Sequence, residues 1–278
     1  MEINPEFIAQ RPLSYSALKA FRKSPKHYML YLTQPRVQTD AMLLGTVVEC
    51  LTLEPDRFEK RFMVIPKLNL RTNDGKAERE RLMILAQKQN LTLIDEETKE
   101  LAEKCRTALM DHSVSRTIIE HKRHTQVKLA WNHKPTGIPM IGYVDFESKA
   151  WETDFIIDLK TTANADPDEF VKQAAKLDYH IQAGAYLDGY PRCKFTFPQM
   201  AFVAVETDDP FNVSVFFCDN QYTDRARDEF HGSVNAFKYC MDNNLWHQGY
   251  EFRTMGTRDY FPMEIPGFVK QKFLTVNE

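Results

Sequence analysis

Apolar positions flank an acid in two β-rich stretches, Gly142-Tyr143-Val144-Asp145-Phe146 and Asp154-Phe155-Ile156-Ile157-Asp158-Leu159-Lys160-Thr161-Thr162. That pattern predicts two β-strands close together in sequence, each carrying an acid among apolar neighbours. Side chains alternate across a strand, so Ile156, Asp158 and Lys160 project from one face, Ile157 and Leu159 from the other. A carboxylate and an ammonium two residues apart therefore point to one place. Asp145 can join them if the strands pair as a hairpin or lie side by side.

Residues 125–131 and 139–146 also read as strands, with His133-Lys134-Pro135-Thr136-Gly137 as the turn between them. Residues 62–66 read as a short extended segment and Thr72-Asn73-Asp74-Gly75-Lys76 as a turn. Residues 200–206 and 211–217 read as an antiparallel pair joined through Thr207-Asp208-Asp209-Pro210. Helical spacing starts at Ser14, a capping residue, and carries Leu18, Phe21, Tyr28 and Tyr31 along one stripe. Residues 41–53 are apolar nearly all round, the mark of a buried helix, and Glu54-Pro55 closes it. Charged amphipathic helices are predicted over 77–89 and 96–110, another opens at Asp166-Pro167-Asp168-Glu169, and a long one covers 222–243. After Leu177, a helix would place Gln182 and Tyr186 on one face, with small residues between them. Residues 246–278, rich in proline, glycine and aromatics, read as a packing arm. There is no internal repeat or low-complexity linker, so one domain over 1–278 is expected.

Composition narrows the class. The chain has 278 residues, 43% hydrophobic and 27% charged, as expected of one elaborated α/β domain. The first residues lack a basic segment followed by an apolar core, and no apolar run is long enough to cross a bilayer. Five scattered cysteines without Cys-x-x-Cys argue against disulfides, zinc fingers and a four-cysteine iron–sulfur cluster. These features predict a reduced, cytoplasmic protein. A net charge of −3 does not advertise nucleic-acid binding, but a local basic face decides phosphate contacts. Such clusters occur at Lys19, Arg22, Lys23 and Lys26, and at Lys67, Arg71, Lys76, Arg79 and Arg81. There is no Gly-x-Ser-x-Gly, Walker A, His-Glu-x-x-His or dinucleotide fingerprint.

Two carboxylates and a lysine converging at a sheet edge suit a hard divalent cation that activates water. The bland reading of the same triplet is a salt-bridged strand end. Glu97-Thr98-Lys99 and Glu147-Ser148-Lys149 repeat the spacing without apolar flanks on both sides. Glu49 is the only charge within 41–53. A buried carboxylate needs a partner, here a basic side chain or a metal. Gly45, one turn earlier, would allow close approach of another backbone or a ligand. Ser14 and Ser16 can cap a helix, or face a phosphate at its N-terminus.

The order of these parts resembles the PD-(D/E)XK nuclease superfamily: Leu44-Gly45-Thr46 with Glu49, then Asp145, Asp158-Leu159-Lys160, and Gln182 four residues before Tyr186. Within it the chain is most similar to the RecE-type phage and prophage exodeoxyribonucleases (exonuclease VIII), relatives of lambda exonuclease. Leu13-Ser14-Tyr15-Ser16-Ala17-Leu18, Leu53-Glu54-Pro55, Arg71 to Lys76, and Tyr179-His180-Ile181-Gln182 through Asp188-Gly189-Tyr190 extend the match to about two thirds of the chain. The resemblance implies an α/β fold with a central mixed β-sheet flanked by α-helices. Its implied activity is hydrolysis of linear double-stranded DNA, 5′→3′, leaving 3′ single strands for recombination. Asp145, Asp158 and Glu49 would hold Mg²⁺ (or Mn²⁺) together with the Leu159 backbone carbonyl. Lys160 would orient or help deprotonate the attacking water, and Gln182 and Tyr186 would support the site. Ser16, beside Ser14, falls where lambda-type relatives hold a 5′ phosphate. Glu49 replaces the His of RecE, as in the lambda-type branch, which implies altered metal affinity. Missing cysteines set the chain apart from the iron–sulfur branch that includes AddB. The implied setting is a phage- or prophage-encoded protein of the bacterial cytoplasm. Its implied partners are DNA ends and a single-strand annealing protein, and its assembly a homo-oligomeric ring. A sequence-specific endonuclease on the same fold, or a non-catalytic DNA-end-binding module, is the alternative.

Overall fold

In the computed structural model, which describes residues 8, 10–35, 37–69 and 71–254, a two-residue strand β1 (Leu13–Ser14) leads directly into α1 (Tyr15–Lys23). Ser14 caps that helix by accepting from the Ala17 amide at 3.3 Å. Ser24 caps α2 (Pro25–Thr33), and the buried helix α3 (Asp40–Leu53) follows. A 3₁₀ turn at Pro55–Arg57 and the short α4 (Phe58–Arg61) then lead into β2 (Phe62–Ile65).

Thr72 to Lys76 is not a turn. Thr72 Oγ1 accepts from the Gly75 amide at 3.1 Å and starts α5 (Asn73–Gln89). Asn, Asp and Gly are frequent in turns and also in first helical turns, and composition does not separate the two. β3 (Thr92–Asp95), four residues long and not foreseen, pairs in parallel with β2 as a separate two-stranded sheet. Helices α6 (Glu96–Asp111) and α7 (Ser113–Glu120) lead to the main sheet.

That sheet contains β1, β4 (Lys122–Asn132), β5 (Pro139–Ala150) and β6 (Thr153–Thr162), then β7 (Gln199–Glu206) and β8 (Val213–Phe217). β4–β5, β5–β6 and β7–β8 are antiparallel, while β1–β5 and β6–β7 are parallel. A parallel pair requires a crossover, supplied between β6 and β7 by α8 (Pro167–Lys176) and α9 (Tyr179–Lys194). β5 runs four residues beyond its predicted end, so Glu147-Ser148-Lys149 lies in the sheet after all. Glu147 is buried there but held by His124 and Lys194, away from the carboxylates considered below. The strand expected over 211–217 begins only at Val213. Helix α10 (Asn220–Asp242) follows, and Trp246 and Phe252 pack into the core. The rest of the expected arm, 255–278, lies outside the described residues. No helix among the described residues is long and apolar enough to cross a membrane.

Two apolar layers sandwich the sheet. One joins α1, α2, α8, α9 and α10 to Val144, Ile156, Met200, Phe202 and Ala204. The other joins α3, α6 and α7 to Phe146, Ile157, Ala201, Val203 and Val205. β4 and β5 change faces midway: Val127 and Val144 belong to the first layer, whereas Phe146 and Ala150 belong to the second. The switch falls at Gln126, whose φ is 49°, between the Thr125–Phe146 and Val127–Val144 pairs.

β4 covers one edge of β5 from Pro139 to Ser148. On the other edge, β1 pairs at Met140–Ile141 and β6 from Phe146 to Ala150. Between them, Gly142 to Asp145 has no strand partner on that edge among the described residues. The sheet is split there.

Gly184 lets α9 and α10 touch: a Cβ at this position would run into the Ala226 carbonyl and come within 2.9 Å of Phe230 Cβ. Gly184→Ala is expected to destabilise the protein by about 1–3 kcal/mol through overpacking. The check is a lower urea midpoint with unchanged slope; a midpoint equal to the parent's would show that the helices separate without cost.

Candidate active site

Asp158 is 1% exposed, at the centre of the sheet beside the split. A carboxylate taken that far from water must be compensated. Lys160, two residues on and on the same face, forms an ion pair with its Oδ2. Gln182 Nε2 donates to its Oδ1 at 2.7 Å, and Lys160 Nζ donates to Gln182 Oε1 at 3.1 Å. One turn along α9, the Tyr186 hydroxyl lies 3.1 Å from Gln182 Nε2 and donates to the Tyr143 carbonyl at 2.6 Å. Gly142 leaves room for the Tyr186 ring: a Cβ there would stand 3.1 Å from Cε1. The expected face of Gln182 and Tyr186 thus meets the expected face of Asp158 and Lys160.

Asp145 reaches across the split from β5. Its Oδ2 accepts from the Leu159 amide at 2.8 Å. The N–H and C=O of one strand residue point to the same edge, so the Leu159 carbonyl also faces the split. Glu49 approaches from α3. Gly45 brings that helix close to β6, since a Cβ there would stand 3.1 Å from Thr161 Oγ1. Glu49 is half-buried rather than enclosed, and its Oε1 accepts from Gln126 Nε2. Its hydrogen bond comes from an amide, and of the basic side chains Arg61 lies near enough to favour its charge.

The electrostatics show how crowded the carboxylates are. Burial pushes the Asp145 carboxyl well above its usual range, and the charges of Asp158 and Glu49 add to that. Burial raises Glu49 as well; Arg61 opposes the shift and Asp158 adds to it. Burial works against the charge of Lys160, but Asp158 and Asp145 outweigh it, so its pKa is raised and it stays an ammonium. Tyr186 is pushed well above its usual value, chiefly by burial and then by the neighbouring aspartates, and keeps its proton.

Sequence reasoning missed Gln126 and Tyr179. The Lys160 ammonium lies 4.5 Å from the centroid of Tyr179, whose ring also stacks on Phe202. The signal for Tyr179 was its place three residues before Gln182; Gln126 carried none. On α1, Ser14 is engaged as the cap, while Ser16 is exposed. Helix α1 overlooks the site, because Asp158 helps to raise the pKa of Tyr15, after burial and Asp178. A cavity of about 800 Å³ is lined by Phe170, Phe202, Phe216 and Tyr222 and by none of Glu49, Asp145 and Asp158.

Among the described residues, no three His, Cys, Asp or Glu side chains are gathered at metal-ligand spacing, so Glu49, Asp145 and Asp158 are not a preassembled triad. Lys160, the Leu159 amide and Gln126 each hold one of them. Their chemistry still fits a hard divalent cation. All are oxygen donors, Asp158 and Glu49 add to the raised pKa of Asp145, and the buried Asp158 Oδ2 has, among the described residues, no hydrogen-bond partner beyond the Lys160 ion pair.

A mixed sheet flanked by helices, with acids on two adjoining strands at a split and a lysine two residues after the second acid, defines a PD-(D/E)XK-like α/β protein. A family model described as a PDDEXK-like domain of unknown function (DUF3799) matches residues 14–251, and the chain belongs to that family. Its fold is similar to that of a candidate exonuclease from Eubacterium rectale, with TM-score 0.59 and 14% identity, covering 98% of each chain. A second solved structure, SSO0001, matches at TM-score 0.28 and 13% identity over 68% of this chain and 85% of that one, and carries no argument. Comparison with curated proteins gives no match. Family and fold support a nuclease.

The raised pKa of Asp145 makes a stability prediction. A carboxyl with a higher pKa folded than unfolded binds its proton more tightly in the folded state, so stability falls as pH rises above the unfolded value. In chelator, Asp145→Asn is expected to melt higher than the parent at about pH 8, with the gap closing towards about pH 4. A parent whose advantage over Asp145→Asn grows with pH would show that Asp145 is stabilised by its charge.

Proposed function

We propose that the protein is a divalent-metal-dependent exodeoxyribonuclease that degrades linear double-stranded DNA 5′→3′, leaving 3′ single strands for recombination. The observation that carries the reading is the junction of Asp145, Asp158 and Lys160 at the split in the sheet, braced by Gln182 and Tyr186. Exonucleolytic action and its direction rest on the resemblance to RecE-type enzymes.

Asp145, Asp158 and Glu49, with the Leu159 carbonyl, would hold Mg²⁺ or Mn²⁺. Proteins of this fold generally use such ions, which activate water and neutralise charge on the phosphate. Lys160, paired with Asp158, would orient or help deprotonate the attacking water and stabilise negative charge on the phosphate. Gln182 positions both Lys160 and Asp158, and Tyr186 fixes Gln182 against β5. Ser16, exposed on α1, would hold the 5′ phosphate as the resemblance implies, with Lys19 one turn on to add charge. A homo-oligomeric ring and a single-strand annealing partner complete the proposal.

Linear and closed circular duplex, each with Mg²⁺ and with chelator, separate the readings. Loss of linear DNA alone supports the exonuclease, cleavage of circles an endonuclease, and binding without cleavage a DNA-end-binding module. Lys160→Ala is expected to lower kcat about 10²-fold or more while leaving the Mg²⁺ midpoint nearly unchanged. Linear DNA with 5′ phosphates should be degraded faster than DNA with 5′ hydroxyls, and Ser16→Ala should narrow the difference. Equal rates on the two ends in the parent would remove Ser16 from the site.

A further inference from the structure

Thr125 and Gln126 are consecutive in β4, and in a regular strand their side chains would point to opposite faces. Instead Gln126 reaches α3 and Thr125 reaches Glu54, the residue that caps the C-terminus of that helix. Thr125 Oγ1 donates to Glu54 Oε1 at 2.8 Å, and Gln126 Nε2 donates to Glu49 Oε1. The positive φ of Gln126, 49°, goes with this arrangement, at the point where β4 and β5 exchange buried faces. A non-glycine residue in the left-handed region inside a strand is strained and persists only where surrounding contacts impose it. Here the strained residue is exposed, so core packing does not require its side chain. What the conformation delivers is an amide aimed at Glu49, from between the Thr125–Phe146 and Val127–Val144 pairs that flank Asp145 on β5.

We propose that Gln126 is a positioning residue: it holds the Glu49 carboxylate on the Asp145 side of the site, ready to share a cation. Side chains that orient ligands in this way set metal affinity without touching the metal. The inference rests on the nuclease reading for its purpose, though not for the contact itself.

Two measurements test it. Glycine accepts positive φ, so Gln126→Gly removes the amide while leaving the backbone path available; Gln126→Asn keeps a shorter amide in a residue that tolerates the same φ. In chelator, melting temperatures of the parent, Gln126→Gly, Glu49→Ala and the double variant form a cycle that reports the contact without metal or DNA. The two changes are expected to be non-additive. In the presence of Mg²⁺ or Mn²⁺, the ion concentration giving half of the thermal stabilisation is expected to rise about tenfold in Gln126→Gly, with Gln126→Asn affected less. The midpoint for cleavage should move in parallel, while kcat at saturating metal stays within a few-fold of the parent's. Additivity in the cycle, or a parent-like metal midpoint in Gln126→Gly, overturns the role of Gln126 alone. A parent with neither metal-induced stabilisation nor cleavage overturns the nuclease reading; a non-additive cycle would then leave a contact without a positioning role.

Discussion

The charge of Asp158, almost fully removed from water, is the constraint on which the site is built. Desolvating a carboxylate costs several kcal/mol unless ion pairing and hydrogen bonds replace the lost water. Lys160 and Gln182 make that replacement, and each is itself held: Lys160 by Gln182 and the Tyr179 ring, Gln182 by Tyr186. Tyr186 in turn bonds the Tyr143 carbonyl on β5. The chain of contacts ties α9 to both acid-bearing strands, so compensation of one buried charge also fixes the geometry of the others.

That compensation is incomplete. Burial, and after it the neighbouring carboxylates, raise the pKa values of Asp145 and Glu49 despite Lys160 beside the first and Arg61 near the second. Structures built only for stability avoid such clusters; functional sites keep them. The split on the β5 edge explains how the cluster is reached. Asp145 lies beside a stretch with no strand partner, and the Leu159 amide turns to its carboxylate instead.

The far end of β4 is fastened by a second polar network that takes no part in the site. Trp131 Nε1 donates to Asp188 at 2.8 Å, Arg192 pairs with the same carboxylate, and buried His133 meets His231 at 2.7 Å. Burial and the neighbouring His231 lower the His133 pKa to about 4, so the ring is neutral near neutral pH. These contacts anchor β4 and the following turn to α9 and α10. The strand is therefore held on both sides of its face switch at Gln126.

Much of this was legible in the chain because it depends on short-range periodicity. The two-residue repeat placed Asp158 and Lys160 on one face, and helical spacing placed Gln182 beside Tyr186; both relations hold whatever the elements pack against. The apolar run of α3 marked Glu49 as an anomaly for the same reason. Partners across the fold were not legible. That Glu49 meets Gln126, that Tyr179 comes up against Lys160, and that β1 and β6 divide one edge of β5 depend on how distant segments stack. Composition failed at Thr72, read as part of a turn but acting as a helix cap, and period failed at β3, too short to show an alternation. Local sequence determined which side chains share a face. Only the tertiary structure decided which faces meet, because that choice is made by burial and charge compensation over the whole molecule.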